Sequence, residues 1–253
     1  MKPLAGKRIV VTRPKGQAAG LSAQIRDAGG EPLEHPAMEI RELDDPAPFF
    51  AIADRLASFD VAIFVSGNAV RSAAALLGSR PWPARLRVAT VGMGSRQALE
   101  ACGFSGVIAP LARSDSEALL ALPELANVAG RRCVIFRGDS GRQLLGDALE
   151  ARGASVEYAA CYRRVRPGSG AALRSAWAGG VDAVTLSSGD GLENFIAMLG
   201  DGAAVRLSAV PVFVPHARVF EEAARRGLQR LVIAGPRDAD MLAALVAYFG
   251  GAG

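Results

Sequence analysis

Residues 6–40 read GKRIVVTRPKGQAAGLSAQIRDAGGEPLEHPAMEI, and residues 130–164 read GRRCVIFRGDSGRQLLGDALEARGASVEYAACYRR. At an offset of 124, the two stretches share six identities in 35 positions. A second pair of blocks, residues 60–78 and 182–200, matches at an offset of 122 with six further identities. Repeated blocks in the same order indicate a duplicated unit, so the sequence predicts two similar halves. The alternative is that any two strand–loop–helix segments resemble one another.

Each block begins with the pattern of a buried strand followed by a helix. Residues 8–12 form a short β-rich apolar run, which is typical of a parallel strand covered on both faces. Residues 16–28 then predict a helix with Leu21 and Ile25 on one face, and glycines at 29 and 30 end it. The second copy predicts a strand at 133–136 and a helix at 141–152. Other predicted strand–helix pairs are 61–65 with 68–77, 88–91 with 95–102, 183–186 with 192–199, and 211–214 with 219–226. Strands that alternate with helices in this way predict an α/β fold with parallel sheets.

The boundaries of the two units are less sharply marked. Residues 36–48 are rich in proline and become acidic, and residues 162–170 end in Pro-Gly-Ser-Gly, which is typical of a linker. The repeat alone places the units at about 1–125 and 130–253. It leaves open whether the first strand and helix pack in their own unit or in the other one.

Composition excludes several classes of protein. The 253 residues are 50% hydrophobic with a net charge of +4, which excludes a disordered chain. No apolar run is long enough to span a membrane, and the first residues do not resemble a signal peptide. Three cysteines and two histidines without ligand spacing predict neither a disulfide framework nor a metal site. Low aromatic content and the absence of basic runs argue against nucleic-acid binding. We therefore expect a soluble cytoplasmic protein.

The predicted strand-to-helix turns are the candidate ligand site, because parallel sheets bind ligands at the carboxyl ends of their strands. These turns are small and polar, and they lie at residues 13–17, 66–68, 92–95, 137–142, 187–190 and 215–218. Arginines and helix-start N–H groups both attract carboxylates. If the turns of the two lobes face each other, they form an anion-lined cleft. The plain alternative is that glycine and serine merely permit the turns and cap the helices.

Other motifs support weaker readings. Gly92-x-Gly94 resembles the start of a dinucleotide fingerprint but lacks its third glycine, so a nucleotide-dependent oxidoreductase is a minor alternative. No nucleophile motif is present. The hydroxyl of Tyr162 either packs at an edge or points into the cleft as a donor. Of the two histidines, His216 is the better placed, because it lies in a strand-to-helix turn.

An ordered set of segments along nearly the whole chain resembles the uroporphyrinogen-III synthase family. The segments are VVTRP at 10–14, PAMEI at 36–40, IFVSGNAV at 63–70, ATVG at 89–92, IFRG at 135–138, YRR at 162–164, LSS at 186–188 and PHAR at 215–218. Val65 stands where the family has threonine, and Pro215-His216 departs from the small-hydroxyl turn of some members. The order of the segments, rather than any single motif, carries the resemblance.

The resemblance implies two similar α/β domains with parallel sheets flanked by helices, joined by a two-stranded linker. Residues 1–38 and 167–253 would form the first, discontinuous domain, and residues 41–161 the second. The linker strands would lie at 38–41 and 161–166. In this arrangement the first strand and helix pack with the C-terminal part of the chain.

The resemblance also implies a lyase reaction of haem biosynthesis. Hydroxymethylbilane, a small molecule with eight carboxylates, would lose water and close to uroporphyrinogen III with its last pyrrole ring inverted. No cofactor or metal is expected, and we expect a monomer with no membrane or nucleic-acid partner. Tyr162 would be the catalytic residue that helps the hydroxyl leave. The implied substrate-binding residues are Arg13, Ser66, Asn68, Arg137, Gly138, Gly141, Arg142, Ser187, Ser188 and His216. The alternative reading is a bilobal protein that binds a small anion without catalysis.

Overall fold

The computed structural model of the chain describes residues 2–111 and 115–251. The chain forms two compact α/β units, one made of residues 1–39 with 165–253 and the other of residues 40–164. It therefore crosses from one unit to the other twice, at residues 39–40 and 164–165. The predicted fold class, two parallel sheets flanked by helices, is confirmed.

Ten strands and twelve helices make up the described parts of the two units. The strands are β1 (Arg8–Val11), β2 (Glu31–Glu34), β3 (Glu39–Arg41), β4 (Val61–Phe64), β5 (Arg87–Thr90), β6 (Arg132–Gly138), β7 (Ser155–Val165), β8 (Ala183–Thr185), β9 (Val212–Val214) and β10 (Leu231–Ile233). The helices are α1 (Ala19–Asp27), α2 (Ala47–Ala53), α3 (Gly67–Leu77), α4 (Met93–Ala101), α5 (Ser116–Leu120), α6 (Pro123–Ala126), α7 (Leu144–Ala151), α8 (Ala171–Ala178), α9 (Gly189–Leu199), α10 (Ala203–Ser208), α11 (Ala217–Arg225) and α12 (Asp238–Gly250). A 3-10 turn covers Leu56–Ser58. None of the helices in the described ranges is long and apolar enough to cross a membrane.

The first unit is built on the sheet β10-β9-β8-β1-β2. Its interior strand β1 pairs in parallel with β2 on one side and with β8 on the other. Ile9 and Val11 face one apolar cluster and Val10 faces a second, because successive side chains of a strand point to opposite faces. All three residues are fully buried, which is why the run at 8–12 reads as continuously apolar.

The second unit is built on the sheet β3-β7-β6-β4-β5. Its central strand β6 alternates in the same way, with Val134 and Phe136 on one face and Cys133 and Ile135 on the other. The ring of Phe136 stacks on that of Phe64 in β4, with 4.6 Å between the ring centroids. The core of this unit therefore lies on both faces of β6.

The repeated aspartates make the same hydrogen bond in both units. Asp60 accepts a hydrogen bond from the backbone N–H of Arg132 at 2.8 Å, and Asp182 accepts one from the backbone N–H of Arg8 at the same distance. Both carboxylates thereby hold the start of corresponding strands, β6 and β1. The strand order β9-β8-β1-β2 matches β5-β4-β6-β7, so the duplication indicated by the sequence is present in the topology.

The predicted linker stretch at 162–170 overlaps the end of strand β7. Strand β7 continues through Tyr162 and ends at Val165, so the first residues of the stretch belong to the second sheet. The Pro-Gly-Ser-Gly segment follows the strand, and Gly170 then begins helix α8.

Candidate active site

Tyr162 lies in the second unit, on strand β7, opposite the last residue of β6. The pairing of the two strands shifts register between Arg137 and Gly138, so that Gly138 comes to lie beside Tyr162. The tyrosine side chain is only 1% exposed and belongs to the aromatic core. Its hydroxyl lies 3.3 Å from Ser66 Oγ and 3.4 Å from Arg164 Nη2. The phenol is therefore held by two polar side chains at the edge of the sheet.

Ser66 is held in place by helix α3. It is the N-cap residue, and its Oγ accepts a hydrogen bond from the backbone N–H of Ala69 at 3.1 Å. This is the usual way for serine to satisfy a free donor at a helix start. The Ser66 oxygen that caps helix α3 is therefore the same oxygen that lies near the Tyr162 hydroxyl.

Gly138 allows the Tyr162 ring to approach the backbone. A Cβ atom at this position would lie 2.9 Å from Tyr162 Cε2 and 3.3 Å from Arg164 Nε. Contacts below 3.0 Å are essentially never found for real Cβ atoms, so any larger residue would displace the ring. The structure gives Gly138 a packing role, and its role as a substrate contact remains a prediction.

Arg137 is a buried cation, with 9% of its surface exposed. Its guanidinium lies 5.0 Å above the ring of Tyr158, and its Nη1 donates to the carbonyl of Arg142 at 3.4 Å. Among residues 2–111 and 115–251, no carboxylate lies within ion-pair distance of Arg137. Gly141 makes room for it, since a Cβ there would lie 2.9 Å from Arg137 Nη2. A buried guanidinium without a carboxylate partner is well suited to bind an anion.

The neighbouring polar residues of this edge have protein partners of their own. Arg142 forms an exposed ion pair with Glu117, with 2.8 Å between Nη2 and Oε1. That hydrogen bond lowers the pKa of Glu117 below its usual value. Asn68 accepts a hydrogen bond from Arg71 Nη2 at 2.7 Å. These two predicted site residues are therefore already engaged at the protein surface.

The other predicted residues lie in the first unit, where β1, β8 and β9 end. Arg13 follows β1 and forms an ion pair with Asp238, with 2.7 Å between Nη2 and Oδ1. Ser188 caps α9 by accepting from the backbone N–H of Gly191 at 3.0 Å, and Ser187 before it is exposed. His216 is exposed at the N-cap position of α11. The predicted residues thus form two groups, one at the carboxyl edge of each sheet.

Arg164 is the functional candidate that the sequence analysis did not name. It contacts the Tyr162 hydroxyl, and its guanidinium carbon lies 5.8 Å from the centroid of the Tyr162 ring. Residues two apart on a strand share a face, so the spacing of Tyr162 and Arg164 is the signal that could have found it.

The two buried cysteines of this unit are poor nucleophiles. Burial raises the pKa of Cys133 to about 11 and that of Cys161 to about 12. The Cys161 thiol donates to the carbonyl of Arg137 at 3.1 Å. Among the described residues, no cluster of histidine, cysteine, aspartate or glutamate could hold a metal ion.

Comparison with known proteins identifies the family of this chain. The model of the family described as "Uroporphyrinogen-III synthase HemD" matches residues 19–244, which is most of the chain. The chain belongs to the uroporphyrinogen-III synthase family. The resemblance in its ordered segments is thereby confirmed.

Relatives and solved structures of the uroporphyrinogen-III synthase family agree with this assignment. The Salmonella typhimurium uroporphyrinogen-III synthase is 37% identical over 195 residues, covering 73% of this chain and 77% of that protein. The Escherichia coli protein of the same name is 34% identical over 200 residues, covering 76% and 79%. A mutant Thermus thermophilus uroporphyrinogen III synthase has a TM-score of 0.65 at 19% identity, covering 94% and 96% of the two chains. The Helicobacter pylori uroporphyrinogen-III synthetase has a TM-score of 0.63 at 13% identity, covering 96% and 99%. These two structures support the fold alone.

Proposed function

We propose that the chain catalyses the uroporphyrinogen-III synthase reaction, in which hydroxymethylbilane loses water and closes to uroporphyrinogen III with its last ring inverted. The single observation that carries this proposal is the family match over residues 19–244. The structure supports it with a sheet edge that combines a phenol, a serine hydroxyl and a buried cation. In reaction class this is a lyase that eliminates water.

The chemistry requires a proton donor more than a nucleophile. The lone pair of the nitrogen in the pyrrole that bears the hydroxymethyl group expels the hydroxyl group. The electron pair of the C–O bond leaves with the oxygen. We propose that the Tyr162 hydroxyl supplies the proton that turns the departing hydroxyl into water. The resulting azafulvenium cation is attacked by the substituted carbon of the last ring, and the spiro intermediate fragments and closes again with that ring inverted. Ring closure releases a proton, which restores the phenol.

The burial of Tyr162 constrains this role. Since only 1% of the residue is exposed, the substrate reaches the hydroxyl only if a side chain that covers it moves. Ser66 and Arg164 are the polar groups in contact with that oxygen. A shielded proton donor suits an intermediate that water would otherwise trap.

The substrate's carboxylates give the arginines their proposed role. Arg137 is buried without a carboxylate partner among the described residues, so a substrate carboxylate would satisfy it directly. Arg13 and Arg142 must first give up Asp238 and Glu117. The serine-capped helix starts add backbone N–H groups that attract anions. Holding the flexible chain in one conformation selects the inverted closure over the simple head-to-tail closure.

Incubation of the purified chain with hydroxymethylbilane, followed by separation of the product isomers, tests the proposal. The expected result is an excess of the type III isomer that depends on the protein. A bilobal anion-binding protein would bind the tetrapyrrole and leave the isomer ratio of the uncatalysed closure unchanged. We also propose a monomeric cytoplasmic enzyme that needs no cofactor. Size-exclusion chromatography and assays after exhaustive dialysis against a chelator test the oligomeric state and the cofactor requirement.

A further inference from the structure

The side chain of Arg164 approaches both the ring and the hydroxyl of Tyr162. Its Nη2 lies 3.4 Å from the phenolic oxygen, and its Cζ lies 5.8 Å from the ring centroid. Its own backbone N–H donates to Asp139 Oδ1 at 3.3 Å, and the backbone N–H of Asp139 donates to the carbonyl of Tyr162 at 2.9 Å. These two bonds tie the end of β7 to the loop that follows β6.

The direction of the hydrogen bonds follows from the donor inventory. A guanidinium has five N–H donors and no acceptor, so the Tyr162 oxygen must accept from Arg164. Ser66 Oγ already accepts from the backbone N–H of Ala69 and keeps a second lone pair. The phenolic proton is therefore directed away from Arg164, and within the Tyr162–Ser66 pair either hydroxyl can donate to the other.

We propose that Arg164 is a positioning residue that directs the Tyr162 proton towards the departing hydroxyl of the substrate. This inference rests on the proposed role of Tyr162 as the proton donor. When the proton moves to the departing oxygen, negative charge develops on the phenolic oxygen beside the guanidinium. A fixed cation next to developing charge stabilises the transition state more than the ground state. Arg164 thus acts through Tyr162, and its effect belongs in kcat.

The competing explanation is that Arg164 binds a substrate carboxylate directly. It predicts a rise in KM that is independent of Tyr162. A double-mutant cycle separates the two explanations, because coupling appears only if the two side chains act on the same step.

The experiment measures kcat, KM and the isomer ratio for Arg164→Gln, Tyr162→Phe and the double variant. We expect Arg164→Gln to lower kcat about tenfold with little change in KM. This is less than the loss of about 100-fold or more for an oxyanion-hole donor, because the contact of 3.4 Å is long. In the Tyr162→Phe background we expect Arg164→Gln to have no further effect. Arg164→Lys, which keeps a cationic donor, should recover part of kcat.

Arg163→Gln is the matched control. Arg163 is the intervening residue of the same strand and pairs with Asp44 instead of Tyr162. We expect its kcat to stay within about twofold of the parent value, as for other surface ion pairs. Circular dichroism and thermal unfolding establish that each variant is folded, and Arg164→Lys carries the test if Arg164→Gln is not.

Each outcome decides the matter. Normal kcat in both Arg164 variants with a slow Tyr162→Phe overturns the inference and leaves the role of Tyr162 standing. A KM effect that persists in the Tyr162→Phe background also overturns it, in favour of direct carboxylate binding. Full activity of Tyr162→Phe overturns the role of Tyr162 itself, and the inference about Arg164 with it.

Discussion

The two units share a scaffold but differ at one strand. In each unit an aspartate holds the start of the corresponding strand, β1 or β6, and a serine caps the helix after the neighbouring strand. At the repeat offset of 124, however, Tyr162 corresponds to Met38. The strand that carries the tyrosine has eleven residues, whereas its counterpart β2 has four. The duplication therefore accounts for the shared scaffold. Tyr162 and Arg164 lie on the part of β7 that has no counterpart in β2.

The paired arginines show the same asymmetry. Arg13 and Arg137 occupy matching positions in the repeat, yet Arg13 is neutralised by Asp238 and Arg137 is buried beside an aromatic ring. Arg13 has a carboxylate partner within the protein, whereas among the described residues Arg137 has none. Under the proposed function, we therefore expect the second unit to contribute more to binding and catalysis than the first.

The largest expected effect comes from Tyr162→Phe, which removes one oxygen atom and keeps the ring. We expect kcat for the type III isomer to fall about 100-fold or more, the usual contribution of a general acid. Steady-state assays with separation of the isomers measure it. Met38→Leu, the matched change in the other copy, should leave kcat unaltered. Equal losses in the two variants would remove the functional difference between the units.

Removal of the charge at the paired arginines is the next test. Arg137→Gln should raise KM about tenfold, because it removes a charge-assisted hydrogen bond of at least about 1.5 kcal/mol. Arg13→Gln and Arg142→Gln should raise KM only about two- to threefold, since their carboxylate partners compete with the substrate. Steady-state kinetics at fixed ionic strength measures these values. A larger effect at Arg13 than at Arg137 would reverse the proposed asymmetry.

Gly138→Ala tests the close approach of the ring to the backbone. The added methyl group would overpack Tyr162, and we expect a loss of about 1–3 kcal/mol in the free energy of unfolding. Urea unfolding measures it. The control is Gly94→Ala in α4, where a Cβ meets nothing within 4 Å, and the higher helix propensity of alanine should make it neutral or slightly stabilising. Equal stability of the two variants would show that the ring is free to move.

The smallest expected effect concerns the matched aspartates. The hydrogen bond from Arg132 lowers the pKa of Asp60, with a further contribution from Arg131. Its stabilisation is therefore fully present above the unfolded pKa of about 3.9 and is lost as the pH falls through the lower folded pKa. Asp60→Asn should cost no more than about 1 kcal/mol at pH 7, because the ion pair is solvent-exposed.

Urea unfolding at pH 7 and at about pH 3 compares Asp60→Asn with the parent protein. The difference in stability should shrink at the lower pH. Asp182→Asn provides the matched change in the first unit, where the backbone bond has the same length. A difference that grows as the pH falls would contradict the assigned role of Asp60.

Much of the fold follows from local patterns in the chain. The strands at β1, β4, β5, β6, β8 and β9 were each predicted to within about two residues, because buried parallel strands are short apolar runs. The helix predicted to start at residue 16 begins at Ala19 instead, since Gly16 has a φ of +81° and lies in a turn. Strands β2 and β7 carry charged or exposed residues, so the apolar pattern did not indicate them, and the end of β7 falls in the predicted linker at 162–170.

The arrangement of polar residues around Tyr162 was predictable only in part. Serine at the start of a helix and arginine in a glycine-rich turn are visible as motifs, so Ser66 and Arg137 could be named in advance. The contact of Tyr162 with Ser66 joins residues that are 96 positions apart in the sequence, and no local pattern indicates it. The proximity of Gly138 to the tyrosine ring follows from a register shift in the sheet, which sequence periodicity does not reveal.

The position of β1 between β2 and β8 has a consequence for biosynthesis. Thr12, just after this strand, bonds to Thr185, which the ribosome adds 173 positions later. By then residues 40–164, a continuous unit, have already been synthesised, and domains generally fold as units during synthesis. Until β8 is synthesised, the edge of β1 that pairs with it has no partner strand. In chains that end before residue 183 and are released from the ribosome, we therefore expect the inserted unit to resist proteolysis and the N-terminal segment to be cleaved.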